Sequence, residues 1–114
     1  MKVSEIASKL GLQVVSGREG LENEVISGYV SDLLSDVMGN AEQGMVWITL
    51  QTHKNTIAVA SLKELAAIIV IGGNKPNDDA IAQSDIEHIP VMITNQSCFD
   101  VSGKLYQILS NGTL

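Results

Sequence analysis

Met45–Leu50 (MVWITL), Ala67–Ile71 (AIIVI) and Pro90–Thr94 (PVMIT) are three short and nearly continuous apolar runs. Runs of this kind are typical of strands buried on both faces, because a strand with one face in water alternates apolar and polar residues. Thr56–Leu65 has the apolar spacing of a helix, and the acidic residues after Asn77 favour the start of another. Strands that alternate with helices pair in parallel, since each crossover returns the chain in the same direction.

Further elements are predicted on both sides of these core strands. The first helix carries Ile6 and Leu10 on one face, with Ser4 as its N-cap and Gly11 as its left-handed stop. In chain order, the prediction comprises a helix over Met1–Leu12, a strand over Leu12–Val15, a polar turn over Ser16–Gly20, a strand over Glu24–Ser31, a helix over Asp32–Met38 and, after the core, a helix over Ser97–Leu109 and a frayed end over Ser110–Leu114. The sequence therefore predicts an α/β fold, a three-layer sandwich with a mainly parallel sheet.

The composition limits the class of protein. The chain has 114 residues, of which 45% are hydrophobic, enough for a single domain over residues 1–114. Seven basic and thirteen acidic residues give a net charge of −6, which argues against nucleic acid or an anionic membrane as a partner. A single cysteine, Cys98, excludes an internal disulfide and fits a cytoplasmic location. The start of the sequence lacks the apolar run of a signal peptide, and no run is long enough to span a membrane.

Polar residues follow each core strand, at the edge of the sheet where parallel α/β folds bind ligands. We expect a ligand site there, and Gly72 and Gly73 would let backbone amides approach the ligand closely. The candidate ligand-binding residues are Gln51, Thr52, His53, Asn55, Gly72, Gly73, Asn74, Thr94 and Asn95. The alternative is that these residues only form turns, which favour Gly, Asn and Ser in any α/β fold.

Side chains that could support catalysis or hold a metal are few and scattered. His53 could act as an acid or base, or it could be a solvated loop histidine, whereas His88 at a helix end favours a structural role. Asp32 and Asp36 are spaced to share a helix face, where they could hold a hard cation or simply be solvated. Histidine spacings typical of zinc sites and the GxxxxGK[ST], GxGxxG and GxSxG motifs are missing. We therefore expect no catalytic residue, no metal site and no cofactor.

The glycines after the second core strand carry a resemblance to a known family. The chain resembles the DRTGG domain, named for an Asp-Arg after one strand and a Thr-Gly-Gly after the next. Ile71-Gly72-Gly73 keeps both glycines with Ile in place of Thr, and Thr52-His53-Lys54-Asn55 stands at the Asp-Arg position without either residue. The turn to Pro76, the strand entry Ile89-Pro90-Val91 and Gly28-Tyr29-Val30-Ser31-Asp32 also fit the pattern. The N-terminal domain of HPr kinase/phosphorylase is similar.

The resemblance implies a non-catalytic module that accompanies catalytic or sensory partners and sits at a dimer interface. Our first hypothesis is a regulatory domain that forms a homodimer and binds a small polar or phosphorylated, nucleotide-like metabolite at the strand ends. The second is a structural adaptor that docks a partner enzyme. The third is an enzyme that uses His53 as acid or base.

Overall fold

The three predicted core strands form in the computed structural model, which describes residues 1–111. The helices are α1 (Val3–Leu10), α2 (Leu34–Asn40), α3 (Asn55–Leu62), α4 (Asp78–Glu87) and α5 (Cys98–Asn111), and the strands are β1 (Gln13–Ser16), β2 (Ser27–Val30), β3 (Met45–Thr49), β4 (Ala67–Val70) and β5 (Val91–Ile93). None of these helices is long and apolar enough to cross a membrane. Of the stretch expected to fray, Ser110 and Asn111 belong to α5, and residues 112–114 lie outside the described part.

All five strands belong to one sheet with the order β1-β5-β4-β3-β2. The four strands from β2 to β5 pair in parallel, with Trp47 opposite Ile68 and Ile69 opposite Met92. β1 pairs with β5 in the antiparallel direction at one edge of the sheet. The mainly parallel sheet predicted from the three apolar runs is therefore confirmed.

Both faces of the sheet are covered, which makes the fold a three-layer sandwich. Val46 and Ile48 of β3 face a core cluster that includes the buried sides of α1 and α5. Trp47, between them in sequence, faces a second cluster formed with α2, α3 and α4. Every residue of β4 is buried, as its continuous apolar run predicted. Successive side chains of a strand point to opposite faces, so both clusters draw on the same strands.

The structure differs from the prediction at the start of α1 and at the end of α3. α1 starts directly after Lys2, and its first turn is closed by the Glu5 carboxylate, which accepts a hydrogen bond from the Lys2 amide at 3.1 Å, so Ser4 is not the N-cap. α3 ends at Leu62, because Glu64 adopts a left-handed φ of 53° and the Leu65 amide bonds back to the Ala60 carbonyl at 2.9 Å. Glycine usually adopts this geometry at a helix end, and because glutamate stands here instead, no stop signal is visible in the sequence.

Gly17 fixes how the end of β1 meets the connection between α4 and β5. It has a left-handed φ of 68°, and its amide donates to the Asp85 carboxylate at 2.7 Å. A Cβ at this position would lie 2.0 Å from the Ile89 carbonyl oxygen, inside the volume of that atom. The predicted polar turn is thus a tight backbone contact between distant parts of the chain.

We expect Gly17→Ala to lower the free energy of unfolding by about 3 kcal/mol or more, since left-handed strain and a backbone clash add together. Gly11→Ala is the matched control, because Gly11 has the same φ of 68° and no atom within 4 Å of the added Cβ. The control should lose only about 1 kcal/mol. Urea unfolding of both variants measures the difference, and equal losses would contradict the packing role of Gly17.

Candidate functional site

The carboxyl ends of the four parallel strands lie along one edge of the sheet, as the sequence predicted. The end of β2, where no site residue was predicted, is joined to the loop after β3 by Asp32. Its Oδ1 accepts hydrogen bonds from the Thr49 hydroxyl at 2.9 Å and from the Leu50 amide at 2.7 Å. The Gln51 side chain donates to the Asp32 carbonyl at 2.7 Å. Gln51 therefore has a structural partner within the protein.

The rest of this loop also bonds mainly to its own surroundings. The Thr52 carbonyl accepts the amide of Asn77, the residue before α4, at 2.9 Å. The His53 carbonyl accepts both the amide and the hydroxyl of Thr56, which secures the first turn of α3. The side chains of His53 and Asn55 are exposed, and Asn55 faces a groove between α3 and α4. Many of the polar groups of this loop therefore serve to connect β3, α3 and α4.

Gly72 and Gly73 connect the ends of β4 and β5. Both have left-handed φ values, 69° and 78°. The Gly72 amide donates to the Gln96 carbonyl and the Gly73 amide to the Thr94 carbonyl, each at 2.9 Å. These amides, which we expected to approach a ligand, bond within the protein.

A cavity of about 390 Å³ opens at the same edge, between the ends of β4 and β5 and the start of β1. It brings together four of the predicted residues, Gly73, Asn74, Thr94 and Asn95. The other lining residues are Gly11, Gln13, Lys75, Ile93 and Gln96. Gln51, Thr52, His53, Asn55 and Gly72 do not line it. The predicted strand-end residues are therefore divided, and only those after β4 and β5 share a cavity.

Two of the additional residues come from the N-terminal part of the chain. Because β1 runs antiparallel to β5, its first residue, Gln13, lies opposite Ile93 at the carboxyl end of β5. Gly11, which ends α1, precedes it by two residues. No sequence pattern gave the direction of β1, so Gln13 could not be assigned to this edge. Lys75 and Gln96 lie inside the predicted loops and could have been chosen as donors.

The cavity combines fixed and unpaired polar groups. Gln96 is held in place, since its amide donates to the Leu10 carbonyl at 2.9 Å and its oxygen accepts from Lys104 at 2.8 Å. Within residues 1–111, the side chains of Gln13, Lys75 and Asn95 make no hydrogen bond or ion pair. None of the cavity-lining residues in this described part of the chain carries a carboxylate. One ammonium group and two side-chain amides are thus available to a ligand, which favours an anion.

Comparison with known proteins identified a similar fold. No family model and no curated protein matches the chain. Its structure is similar to the crystal structure of the CBS and DRTGG domains of the regulatory region of Clostridium perfringens pyrophosphatase, complexed with the activator diadenosine tetraphosphate, with a TM-score of 0.70 and 17% sequence identity. The match covers 93% of this chain and 46% of that chain, so this chain spans about half of its length. The chain has a DRTGG-like fold.

The predicted Asp32–Asp36 pair does not share a helix face, because α2 begins only at Leu34. Asp36 lies in α2 and accepts hydrogen bonds from the Tyr29 hydroxyl and the Asn40 side chain, both at 2.9 Å. Hydrogen bonds from Ser31, Asn40 and Tyr29 hold the pKa of the Asp36 carboxyl below its usual value. Residues 1–111 contain no cluster of three His, Cys, Asp or Glu side chains suited to a metal ion. The Asp32 carboxylate instead bonds to the end of β3, and the Asp36 carboxylate bonds to Tyr29 of β2.

A lowered folded-state pKa adds stability above the unfolded value of about 3.9, and this stability is lost as the pH falls through the folded value. We therefore expect the wild type to have a higher melting temperature than Asp36→Asn at pH 6, with the difference shrinking towards pH 2.5. Glu42→Gln is the control, since no hydrogen bond or ion pair of the Glu42 carboxylate occurs within residues 1–111. A difference that stays constant with pH would contradict the role given to Asp36.

Proposed function

We propose that this chain is a non-catalytic regulatory module of the DRTGG family that binds a small phosphorylated metabolite in the cavity at the ends of β4 and β5. The observation that carries the proposal is Lys75, which has no hydrogen bond or ion pair within residues 1–111 and lines a cavity to which these residues contribute no carboxylate. We also propose that the module forms a homodimer and acts on a catalytic or sensory partner.

The polar groups of the cavity match the chemistry of a phosphate. An ammonium group binds phosphate oxygens as a point charge, and the amides of Gln13 and Asn95 can donate to further oxygens. The chain as a whole has a net charge of −6, so it repels anions over most of its surface. A cavity with one cation and no carboxylate is therefore a favourable place for an anion on this protein.

Binding is favoured over catalysis by the position of His53. This side chain is exposed and does not line the cavity. Within residues 1–111, no hydrogen bond orients its imidazole. A general acid or base needs to be held within reach of the reacting group, usually by a third side chain. These features support a ligand-binding role for the strand ends.

The similar structure supports the regulatory part of the proposal. Its name describes a regulatory region with a nucleotide activator, and it assigns the activator to the region with CBS and DRTGG domains as a whole. The present chain corresponds to about half of that region. Nucleoside polyphosphates, including diadenosine tetraphosphate, are therefore suitable probes, together with inorganic phosphate and pyrophosphate.

Thermal-shift measurements with these four probes test the proposal. We expect at least one of them to raise the melting temperature of the wild type, because a ligand that binds the folded state stabilises it. Lys75→Ala should weaken binding of that probe about tenfold or more, since a charge-assisted hydrogen bond is lost. The control is Lys54→Ala, which removes a lysine near the same edge of the sheet but outside the cavity.

The outcomes separate the cavity from general charge effects. Stabilisation that is lost in Lys75→Ala and retained in Lys54→Ala supports the assigned cavity. Equal weakening in both variants, or no stabilisation of the wild type by any probe, would overturn the ligand part of the proposal. Both lysines are exposed, so neither substitution should unfold the protein.

A further inference from the structure

The outer face of α5 is an uncharged stripe with an aromatic residue on each side of its centre. Phe99 and Tyr106 are seven residues apart and therefore lie on the same face of the helix. Between them, Ser102 and Gly103 are three and four residues from Phe99 and occupy the middle of this face. The opposite side of α5, with Val101, Leu105 and Ile108, packs into the core.

The two aromatic side chains are strongly exposed. Phe99 is 86% exposed and Tyr106 is 77% exposed. They are the only phenylalanine and one of the two tyrosines in the chain, so a scarce residue type is concentrated on one surface. Aromatic residues are enriched and charged residues depleted at the centres of protein interfaces. The stripe has the composition of an interface.

Within residues 1–111, no contact explains the glycine at position 103. A glycine in the middle of a helix costs about 1 kcal/mol relative to alanine. A Cβ at Gly103 would meet no atom within 4 Å, so no contact in the described chain requires a glycine there. A missing Cβ allows the backbone of a second copy to approach this face closely.

We propose that α5 packs in the antiparallel direction against α5 of a second copy, across a two-fold axis near Ser102 and Gly103. This order of residues is self-complementary, because reversing the helix places Phe99 of one copy beside Tyr106 of the other. Small residues at the crossing point let the helices come close together. A two-fold contact brings the same patch from both subunits, so the patch must complement itself. The proposal specifies the surface of the homodimer proposed above and rests on that part of the proposed function.

The charges at the rim of the stripe favour a second copy as the occupant. Two copies with a net charge of −6 each repel one another, so they need an uncharged surface for contact. At the rim of the stripe, Asp100 and Lys104 are four residues apart on the same side of α5. The two-fold arrangement places Asp100 of one copy near Lys104 of the other, so the charged rim also complements itself.

The neighbouring edge strand enlarges the contact. α5 and β2 border an apolar groove of about 360 Å³. Among residues 1–111 it is lined by Ile26, Val30 and Tyr106 and by other residues that are also uncharged. β2 is the last strand on its side of the sheet, and natural proteins usually protect such edges. Each aromatic side chain offers on the order of 150 Å². The four aromatic side chains of two copies therefore supply on the order of 600 Å², more than half of the roughly 1,000 Å² expected of a specific interface, and the apolar groove of each copy adds further surface.

Sedimentation equilibrium of the full chain tests this surface. We expect the wild type to be a dimer at micromolar concentration, with twice the mass of 12.2 kDa of the single chain. Tyr106→Asp and Phe99→Asp should each raise the dimer dissociation constant at least about thirtyfold, because each removes two central aromatic contacts per dimer. Leu62→Asp is the control, since Leu62 on α3 is similarly exposed at 71% but lies on another surface. Circular dichroism should show that all variants remain folded.

Three results would overturn the inference in distinguishable ways. A monomeric wild type would contradict both the homodimer and this surface. A dimer that survives Tyr106→Asp and Phe99→Asp would contradict the surface and leave the proposed homodimer standing. A dimer lost equally in Leu62→Asp would show that the effect is not specific to α5. Phosphate-probe binding by Tyr106→Asp measures the ligand part separately, because Tyr106 does not line that cavity.

Cross-linking tests the two-fold axis itself. Ser102→Cys, placed in a Cys98→Ser background, puts one thiol per copy close to the proposed axis. We expect mild oxidation to give a covalent dimer, since a disulfide forms when the two Cα atoms are about 4.4–6.8 Å apart. Leu62→Cys in the same background is the control and should stay monomeric on a non-reducing gel. Equal cross-linking at both positions, or none at position 102, would contradict the antiparallel pairing of α5.

Discussion

Burial of both faces of β3 and β4 is the constraint on which the rest of this structure depends. Trp47 points into one core cluster, while Val46 and Ile48 point into the other. Neither face can be left to water, so helices must cover both sides of the sheet. The crossovers that place helices there also keep neighbouring strands parallel, and parallel strands bring their carboxyl ends to one edge. The location of the cavity follows from this arrangement.

The strand ends are not equivalent, however. Loops after β2 and β3 use their polar groups on each other, through Asp32 and Gln51. The loops after β4 and β5 are joined by hydrogen bonds between backbone amides and carbonyls. The side chains of Lys75 and Asn95 take no part in these bonds and are unpaired within residues 1–111. The difference arises because the antiparallel β1 borders β5 and supplies Gln13, so a cavity forms beside β5. Ligand chemistry is thus expected at one end of this edge only.

α5 links the core to the surface. Val101, Leu105 and Ile108 pack against the sheet, and Leu105 lies close enough to Gly28 that a Cβ there would be 3.0 Å from its methyl group. This close packing fixes the orientation of α5 and therefore the direction in which its outer stripe faces. Lys104, on the same helix, bonds to Gln96 in the cavity lining. A contact between two copies through α5, as proposed above, would thus lie one hydrogen bond away from the cavity.

The sequence by itself determined the three buried strands, their parallel pairing and most helix positions. This was possible because the spacing of apolar residues along the chain differs between helices and buried strands. The sequence also placed Gly73, Asn74, Thr94 and Asn95 at the carboxyl edge of the sheet, because strand ends follow directly from strand positions. Only the tertiary structure decided that Gln13 joins them and that His53 does not, and that Glu64 ends α3 with a left-handed φ. The direction of an edge strand and the partners of a polar loop depend on contacts between residues far apart in the chain, and such contacts leave no periodic signal in the sequence.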